Sequence, residues 1–380
     1  MKRITALVLL AMLTFVTPLY GAASAPKMLA FTNQSSQSFI PVGVLKGYDG
    51  IKVQYTSAQK KIDITKKDTK LSLYLGSKTA YVNGKKVAIK GAPFKEAGNT
   101  YVPLQFVSQY LSLKITWNKD TSSVVIIEGD IAASLPVLSG SSIAAANGKP
   151  IITARKSFKV GSRTFSAQTV TISLLHPNVE LDVALAGNQV GKVEDLRSIA
   201  KRNNAVVAMN GTFFDAYTSG SYKAPYGYIV GKGKLLKDSP ADKRTVFTFD
   251  SNNLTQLVPG LDFKDHFLQG KSTGAIQAGP RLIVNGKVSL DVKKEGFKDP
   301  KILTGGGARS ALGITKDHKL ILLTTGGATI PQLAEIMKQA GAYQAMNLDG
   351  GASSGLYYNG SYLTAPGRQI SNAIIVKLNK

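Results

Sequence analysis

Two stretches set 137 residues apart repeat one order of signals, and that duplication constrains the fold more than any other feature of the chain. In the later copy Pro331 opens a helix signal with Leu333, Ile336, Met337 and Ala340 at one-face spacing, and Gly341 is placed to end it. A short apolar strand from Tyr343 to Met346 follows, and the chain turns polar at Asn347-Leu348-Asp349-Gly350-Gly351-Ala352-Ser353-Ser354-Gly355. In the earlier copy Leu196 and Ile199 lead to Ala205-Val206-Val207-Ala208-Met209-Asn210, then Gly211-Thr212-Phe213-Phe214-Asp215. Each unit delivers an Asn and then an Asp into a glycine-bearing turn. If the two strands share a sheet, both turns open at one edge, where sheet ligands bind. The competing reading is a plain Asp-Gly-Gly turn between strands.

A chain of 380 residues has room for two domains with cores of their own. The formal charge is +24; Lys2 and Arg3 are the only charges in the first 25 residues, leaving +22 on the rest. That balance favours anionic partners, of which phosphate-bearing wall polymers and acidic glycans fit best. Nucleic acid does not: basic clusters and aromatic residues do not interleave, and no nucleic-acid motif is present. Residues 1–25 read as a secretion signal, with Lys2-Arg3, an apolar run from Ile4 to Val16, and small residues from Gly21 to Ala25. That run is too short to span a bilayer, and no later segment approaches the ~20 residues needed. Without cysteine there is no disulfide and no lipid anchor on Cys. A secreted, extracellular or cell-wall-associated chain is therefore expected.

The first mature unit, 26–130, carries its own repeat at an offset of 62: Ile40-Pro41-Val42 answers Val102-Pro103-Leu104, and Lys52 to Tyr55 answers Lys114 to Trp117. Each copy reads as a proline-led turn or helix followed by a hairpin, and Asn83-Gly84 marks a tight hairpin turn between them. The run from Tyr81 to Ile127, with Val82-Asn83-Gly84-Lys85, Tyr101-Val102-Pro103-Leu104 and Trp117-Asn118, resembles the copper amine oxidase N-terminal (stalk) domain. The resemblance implies a small α+β module for attachment or spacing, carrying no copper. Residues 26–130 contain no His or Cys to bind that metal. Trp117 is assigned to the core of this module rather than to a sugar platform.

Residues 131–150, rich in Ala, Ser and Gly, are expected to form a linker. In 151–380 strands prevail, among them Phe165–Leu174, Val179–Ala186, Tyr226–Val230, Thr245–Phe249, Ala275–Val284, Ala311–Thr315, Leu320–Leu323 and Ala373–Leu378. Two helices among so many strands argue for an α+β domain. The expected architecture is thus α+β throughout: a small repeat module followed by a strand-rich catalytic domain.

Glycine meets polar groups in five runs of this second unit: Asn210 to Asp215; Gly279-Pro280-Arg281-Leu282-Ile283; Gly305 to Gly313 around Arg309; the Asp349 run; and Pro366-Gly367-Arg368. From about 155 to 378 they resemble, in order, the phosphodiester glycosidases related to N-acetylglucosamine-1-phosphodiester α-N-acetylglucosaminidase. Thr212 and Ala352 stand where glycine is common in that family. The resemblance implies a hydrolase that cuts between a sugar's anomeric carbon and a phosphodiester oxygen. The residue types suit that chemistry. Arginine grips phosphate through a fork of charge-assisted bonds, so at least two of Arg281, Arg309 and Arg368 are expected on the phosphate; an Arg309–Asp349 structural pair is the alternative. Asp215 and Asp349 are the expected catalytic carboxylates. Asn210 and Asn347 are expected to contact the sugar or to position an Asp, and Gly350, Gly351, Ser353 and Ser354 to line the phosphate, one serine serving equally as a helix cap.

His176, His266 and His318 neighbour none of these runs, which argues against a Ser–His–Asp triad or a zinc site. Gly305-Gly306-Gly307 lacks a following Gly-Lys-Ser/Thr, so a nucleoside-triphosphate loop is unsupported. No cofactor is expected, a calcium ion on aspartates being the one open alternative. Wall teichoic acids or phosphate-bearing exopolysaccharides are the expected targets. A non-catalytic binder of anionic wall polymer and an exopolysaccharide assembly factor that transfers rather than hydrolyses are the rival readings.

Overall fold

The computed structural model describes residues 26–379. The secretion-signal assignment, 1–25, lies outside them. Among the described residues no helix is long and apolar enough to cross a membrane.

In the first domain the 62-residue repeat becomes a pairing of its two halves. Strand Ser38–Pro41 lies antiparallel to Asn99–Pro103, with Ile40 opposite Val102. Each proline then turns its copy into a helical segment, the 3-10 turn Val42–Gly47 in one and the α-helix Leu104–Leu111 in the other. Asn83 and Gly84 both take positive φ, 48° and 82°, as a two-residue hairpin between right-twisted strands requires. The residues taken for a linker are not one. Ile131–Gly140 is a strand running parallel to Ala30–Asn33 and antiparallel to Ser123–Glu128, and Ile143–Asn147 is a short helix. Small residues hid it: of its large apolar side chains only Leu135 and Leu138 are fully buried, with Ile131 and Val137 packed against the core at its margin. Trp117 is the second correction. It stands 59% exposed on the edge strand Lys114–Asn118.

The second domain packs three antiparallel sheets around one core. A seven-stranded sheet contains Ile151–Val160, Arg163–Ser173, Lys319–Ala328, Gly307–Ile314, Gln344–Asn347, Arg281–Val284 and Lys287–Val288 in that order. A five-stranded sheet is ordered Val179–Leu185, Asn372–Leu378, Val207–Asn210, Leu356–Tyr358 and Ser361–Thr364, and a third is built from strands between 229 and 277. The region expected as one strand, Ala275–Val284, is two, Gly274–Gln277 and Arg281–Val284, separated at Gly279-Pro280, where Pro280 has no N–H for a ladder.

The 137-residue repeat explains the layering. Each copy's helix covers the outer face of its own sheet: Ile330–Gln339 packs on Ala345, and Leu196–Arg202 on Ala208. Side chains alternate along a strand. The next residues, Met346 and Met209, therefore point the other way, into the core that the sheets share. Thr329 and Gln332 close a capping box on the later helix, and Gly341 takes φ 96° beyond its end. The strands of the repeat thus lie in two different sheets, so the condition of a shared sheet is not met.

The domains are hydrogen-bonded to each other. Asn285 Nδ2 donates to Asp120 Oδ1 at 2.9 Å, Gln344 Nε2 donates to Asp120 O at 3.2 Å, and His318 Nε2 lies 3.1 Å from Ser122 O. Met28 N donates to Asn252 Oδ1 at 2.6 Å on another side.

Candidate active site

Although their strands belong to different sheets, the two polar turns clasp each other. Asp349 N donates to Gly211 O at 3.1 Å, and Asn210 Nδ2 donates to Asp349 O at 2.7 Å. The backbone of Asp349 is therefore fixed on both sides by the earlier copy of the repeat. Asn210 Oδ1 accepts from Ser310 Oγ at 2.8 Å and from Gly355 N at 3.0 Å, which ties in the neighbouring strand and the far end of the Asp349 run. Asn372, absent from the sequence-based candidates, completes the earlier turn: its Oδ1 accepts from Thr212 N at 3.0 Å and its Nδ2 donates to Thr212 Oγ1 at 2.7 Å. Threonine at 212 thus has a partner that glycine would not offer. A Cβ on Gly211 would collide with that same Asn372 side chain, and one on Gly350 would come within 2.9 Å of Ala308 O.

Asp349 is half-buried within this clasp. Its Oδ1 accepts from Gly350 N at 2.9 Å, and Ser353 hydrogen-bonds to its carboxylate. Burial outweighs those bonds and the nearby Arg368 charge, pushing the carboxyl up to about 7. Arg368 reaches this place because Gly367 N donates to Ala352 O at 2.7 Å, docking one loop on the other. Arg368 Nη2 donates to the Tyr217 hydroxyl at 2.8 Å, and its guanidinium lies 4.8 Å from that ring's centroid. The bond from Arg368 and its charge, with Lys301 adding a weaker pull, lower the Tyr217 hydroxyl's pKa; Asp349 opposes them. Tyr217, 79% exposed, and Lys301 therefore share the electrostatic neighbourhood of Asp349 and Arg368. Tyr217 carries no sequence signal beyond its place two residues after Asp215. Ser354 Oγ and Asn347 Oδ1, close by in sequence, are buried and have no hydrogen-bond partner among the described residues.

Asp215 stands at the base of the loop that carries Tyr217. Its Oδ1 accepts from Thr218 N at 3.2 Å and its own N–H donates to Ala224 O at 2.8 Å, so it helps hold that loop's shape. Gly351 is exposed, with φ 60°, and begins the turn that presents Ser353.

Three expected ligand contacts are redirected inward, and a fourth residue, Asn210, takes its alternative role of positioning Asp349. Arg281 donates to Leu257 O at 2.9 Å, Ile283 O at 3.3 Å and Gln344 Oε1 at 2.6 Å, at the opposite end of the Gln344–Asn347 strand from Asp349. Arg309 donates to Ala328 O, Lys301 O and Gly305 O at 2.7–2.9 Å and makes no pair with Asp349. Asn347 is fully buried and donates to Gly279 O and Leu348 O, and Asn210 is fully engaged in the clasp. The reason is common to all four. Where strands end inside a packed junction, backbone carbonyls cannot reach water, and long or amide side chains serve them instead. Of the three arginines only Arg368 remains beside Asp349. Glu295, also unanticipated, accepts from Arg281 N at 2.6 Å and Thr245 N at 2.8 Å, so it braces the Gly279-Pro280 turn that receives Asn347. Among the described residues no three His, Asp or Glu side chains cluster to hold a metal ion.

Comparison with known proteins agrees with this division of the chain. Residues 203–377 match the phosphodiester glycosidase family model, and residues 23–127 match the copper amine oxidase N-terminal domain. The fold is similar to that of the zebrafish N-acetylglucosamine-1-phosphodiester alpha-N-acetylglucosaminidase catalytic domain, auto-inhibited by its pro-peptide. That match has a TM-score of 0.53 and 21% identity, and covers 61% of this chain and 85% of that one. A hypothetical protein from Synechocystis is similar over 90% of this chain and 94% of its own, with a TM-score of 0.53 and 14% identity. No curated protein matches the chain significantly.

Proposed function

We propose that this chain, a copper amine oxidase N-terminal-like domain followed by a phosphodiester glycosidase-like domain, hydrolyses the bond between a sugar's anomeric carbon and a phosphodiester outside the cell. The observation that carries this reading is the clasp. It presents one carboxylate, Asp349, with its pKa near neutrality, next to the one motif arginine whose guanidinium is not committed to backbone carbonyls.

In this reading Arg368, helped by Lys301, takes up the charge of the departing phosphodiester, for which little proton assistance is needed. Asp349 accepts the proton of the attacking water. A base titrating near the working pH combines availability with driving force. Asp215, at the base of the loop that carries Tyr217, stabilises positive charge at the anomeric carbon. Asn210, Asn347, Ser353 and Arg309 position these groups, and Gly350, Gly351 and Ser354 shape the turn beneath them. The wall-polymer target expected from the charge, a teichoic acid or phosphate-bearing exopolysaccharide, belongs to the same proposal.

The test is incubation with UDP-N-acetylglucosamine and other sugar-1-phosphodiesters, with released sugar read by mass. Asp349→Asn is expected to lower turnover by about 10²–10⁴-fold while ligand still binds. The rate should rise with pH through about 7, because the base works deprotonated. A rate falling through the same pH would make Asp349 the acid instead. No release from any substrate, with binding intact, would leave a binder of anionic polymer.

A further inference from the structure

The first domain has an open groove of about 550 Å³ whose chemistry the catalytic reading does not use. Its floor is the outward face of the helix Leu104–Leu111, where Gln105, Ser108 and Gln109 follow one another at helical spacing, and its rim includes Ser38, Lys90 and Ile115. No acidic side chain lines it. Gln105 and Gln109 are exposed, and among the described residues their amides have no protein partner, so each offers a donor and an acceptor.

The edge strand Lys114–Asn118 borders this groove at Ile115, and Trp117 stands two residues further along the same strand face. Ile115 and Trp117 lie opposite Ile126 and Val124, both core residues, so they stand on the sheet face that packs inward elsewhere. At the edge that face runs past the core, leaving Ile115 37% and Trp117 59% exposed. An indole held on a paired strand beside a floor of amides and hydroxyls matches a pyranose chain. One face of each sugar ring is apolar and stacks on an aromatic surface, while its hydroxyl rim needs paired donors and acceptors. The domain's balance of 15 Lys against 6 acidic residues over 26–129, net +9, also suits a glycan bearing negative charge.

We propose that this groove, with Trp117 as its platform, is a glycan-docking site of the first domain, separate from the Asp349 centre. Trp117 is the only tryptophan in the chain, so its fluorescence reports on this place alone. The experiment uses the full chain carrying Asp349→Asn, so that no probe is turned over. Tetrasaccharides of α-1,4-linked galacturonic acid, which carries negative charge, β-1,4-linked N-acetylglucosamine and β-1,4-linked glucose are titrated in. The expected result is a saturable change in indole emission with at least one of them. By calorimetry, Trp117→Ala or a Gln105→Ala/Gln109→Ala pair should weaken binding about tenfold or more, with the thermal midpoint unchanged. Three results overturn the proposal. One is no saturable change up to about 10 mM of every sugar, a range that covers weak single-site binding. Another is binding that survives Trp117→Ala undiminished. The third is an emission shift that follows protein concentration without sugar, which would mean that a second copy covers the edge strand. Each readout is independent of hydrolysis, so failure of the catalytic reading leaves this test intact.

Discussion

The arginines divide by partner, and partner predicts phenotype. Arg309 serves three backbone carbonyls, that of Ala328 buried, with a fork that lysine cannot reproduce. Arg309→Lys should therefore lower stability by about 2–3 kcal/mol in chemical denaturation, since hydrogen bonds from a charged group are being lost. Arg368 holds only the exposed Tyr217 hydroxyl. Arg368→Lys should leave the denaturation midpoint unchanged and weaken binding of a phosphodiester ligand about tenfold or more, measured by calorimetry. Sequence reasoning could not separate these two residues, because both stand beside glycine in motif runs. What tells them apart is which carbonyls the fold leaves without water, a three-dimensional matter. The same holds for Asn210 and Asn347, whose amides look ligand-facing in sequence and serve the junction in the structure. The Asp349 turn was legible as a candidate because an amide, a carboxylate, glycines and two hydroxyls crowd into nine residues; Tyr217 was not, because its neighbours come from a distant loop.

At the level of elements, the duplicated helix–strand–turn unit was legible from apolar spacing alone, and the arrangement of its copies was not. Periodicity reports which face of a strand is buried, not which sheet the strand joins. The copies meet through their turns, and the earlier turn packs so closely on Asn372 that a Cβ at Gly211 would collide with it. Gly211→Ala should push against Asn372 and cost about 1–3 kcal/mol in urea denaturation. Gly351→Ala, with open space around it but φ 60°, should cost about 1–2 kcal/mol from backbone strain alone. The strand Ile131–Gly140 was missed for a related reason. Its alanines and serines read as linker composition, yet neighbours on both sides supply its ladder.

Over the whole molecule, the first domain is fastened to the second at a hairpin tip, and one of the fasteners titrates. His318 is buried beside Ser122 O, and burial lowers its pKa to about 4 despite the hydrogen bond and the Asp317 charge. Its unfolded counterpart binds a proton near 6.5. The folded chain is thus the weaker proton binder, so this contribution is complete above about pH 6.5 and is lost as pH falls towards 4. Thermal midpoints taken from pH 7 to 4.5 should show a loss on the order of 3 kcal/mol, and His318→Gln should flatten that slope.

The backbone grip between Asp349 and the Asn210-Gly211 turn has a further consequence. Both peptide groups that aim the carboxylate are bonded across the seam between two sheets. The placing of the Asp349 carboxylate is therefore a property of how the sheets are seated, not of a local loop. Nothing short of parting the layers can blur it, and a partly loosened molecule has no aimed carboxylate left to work with.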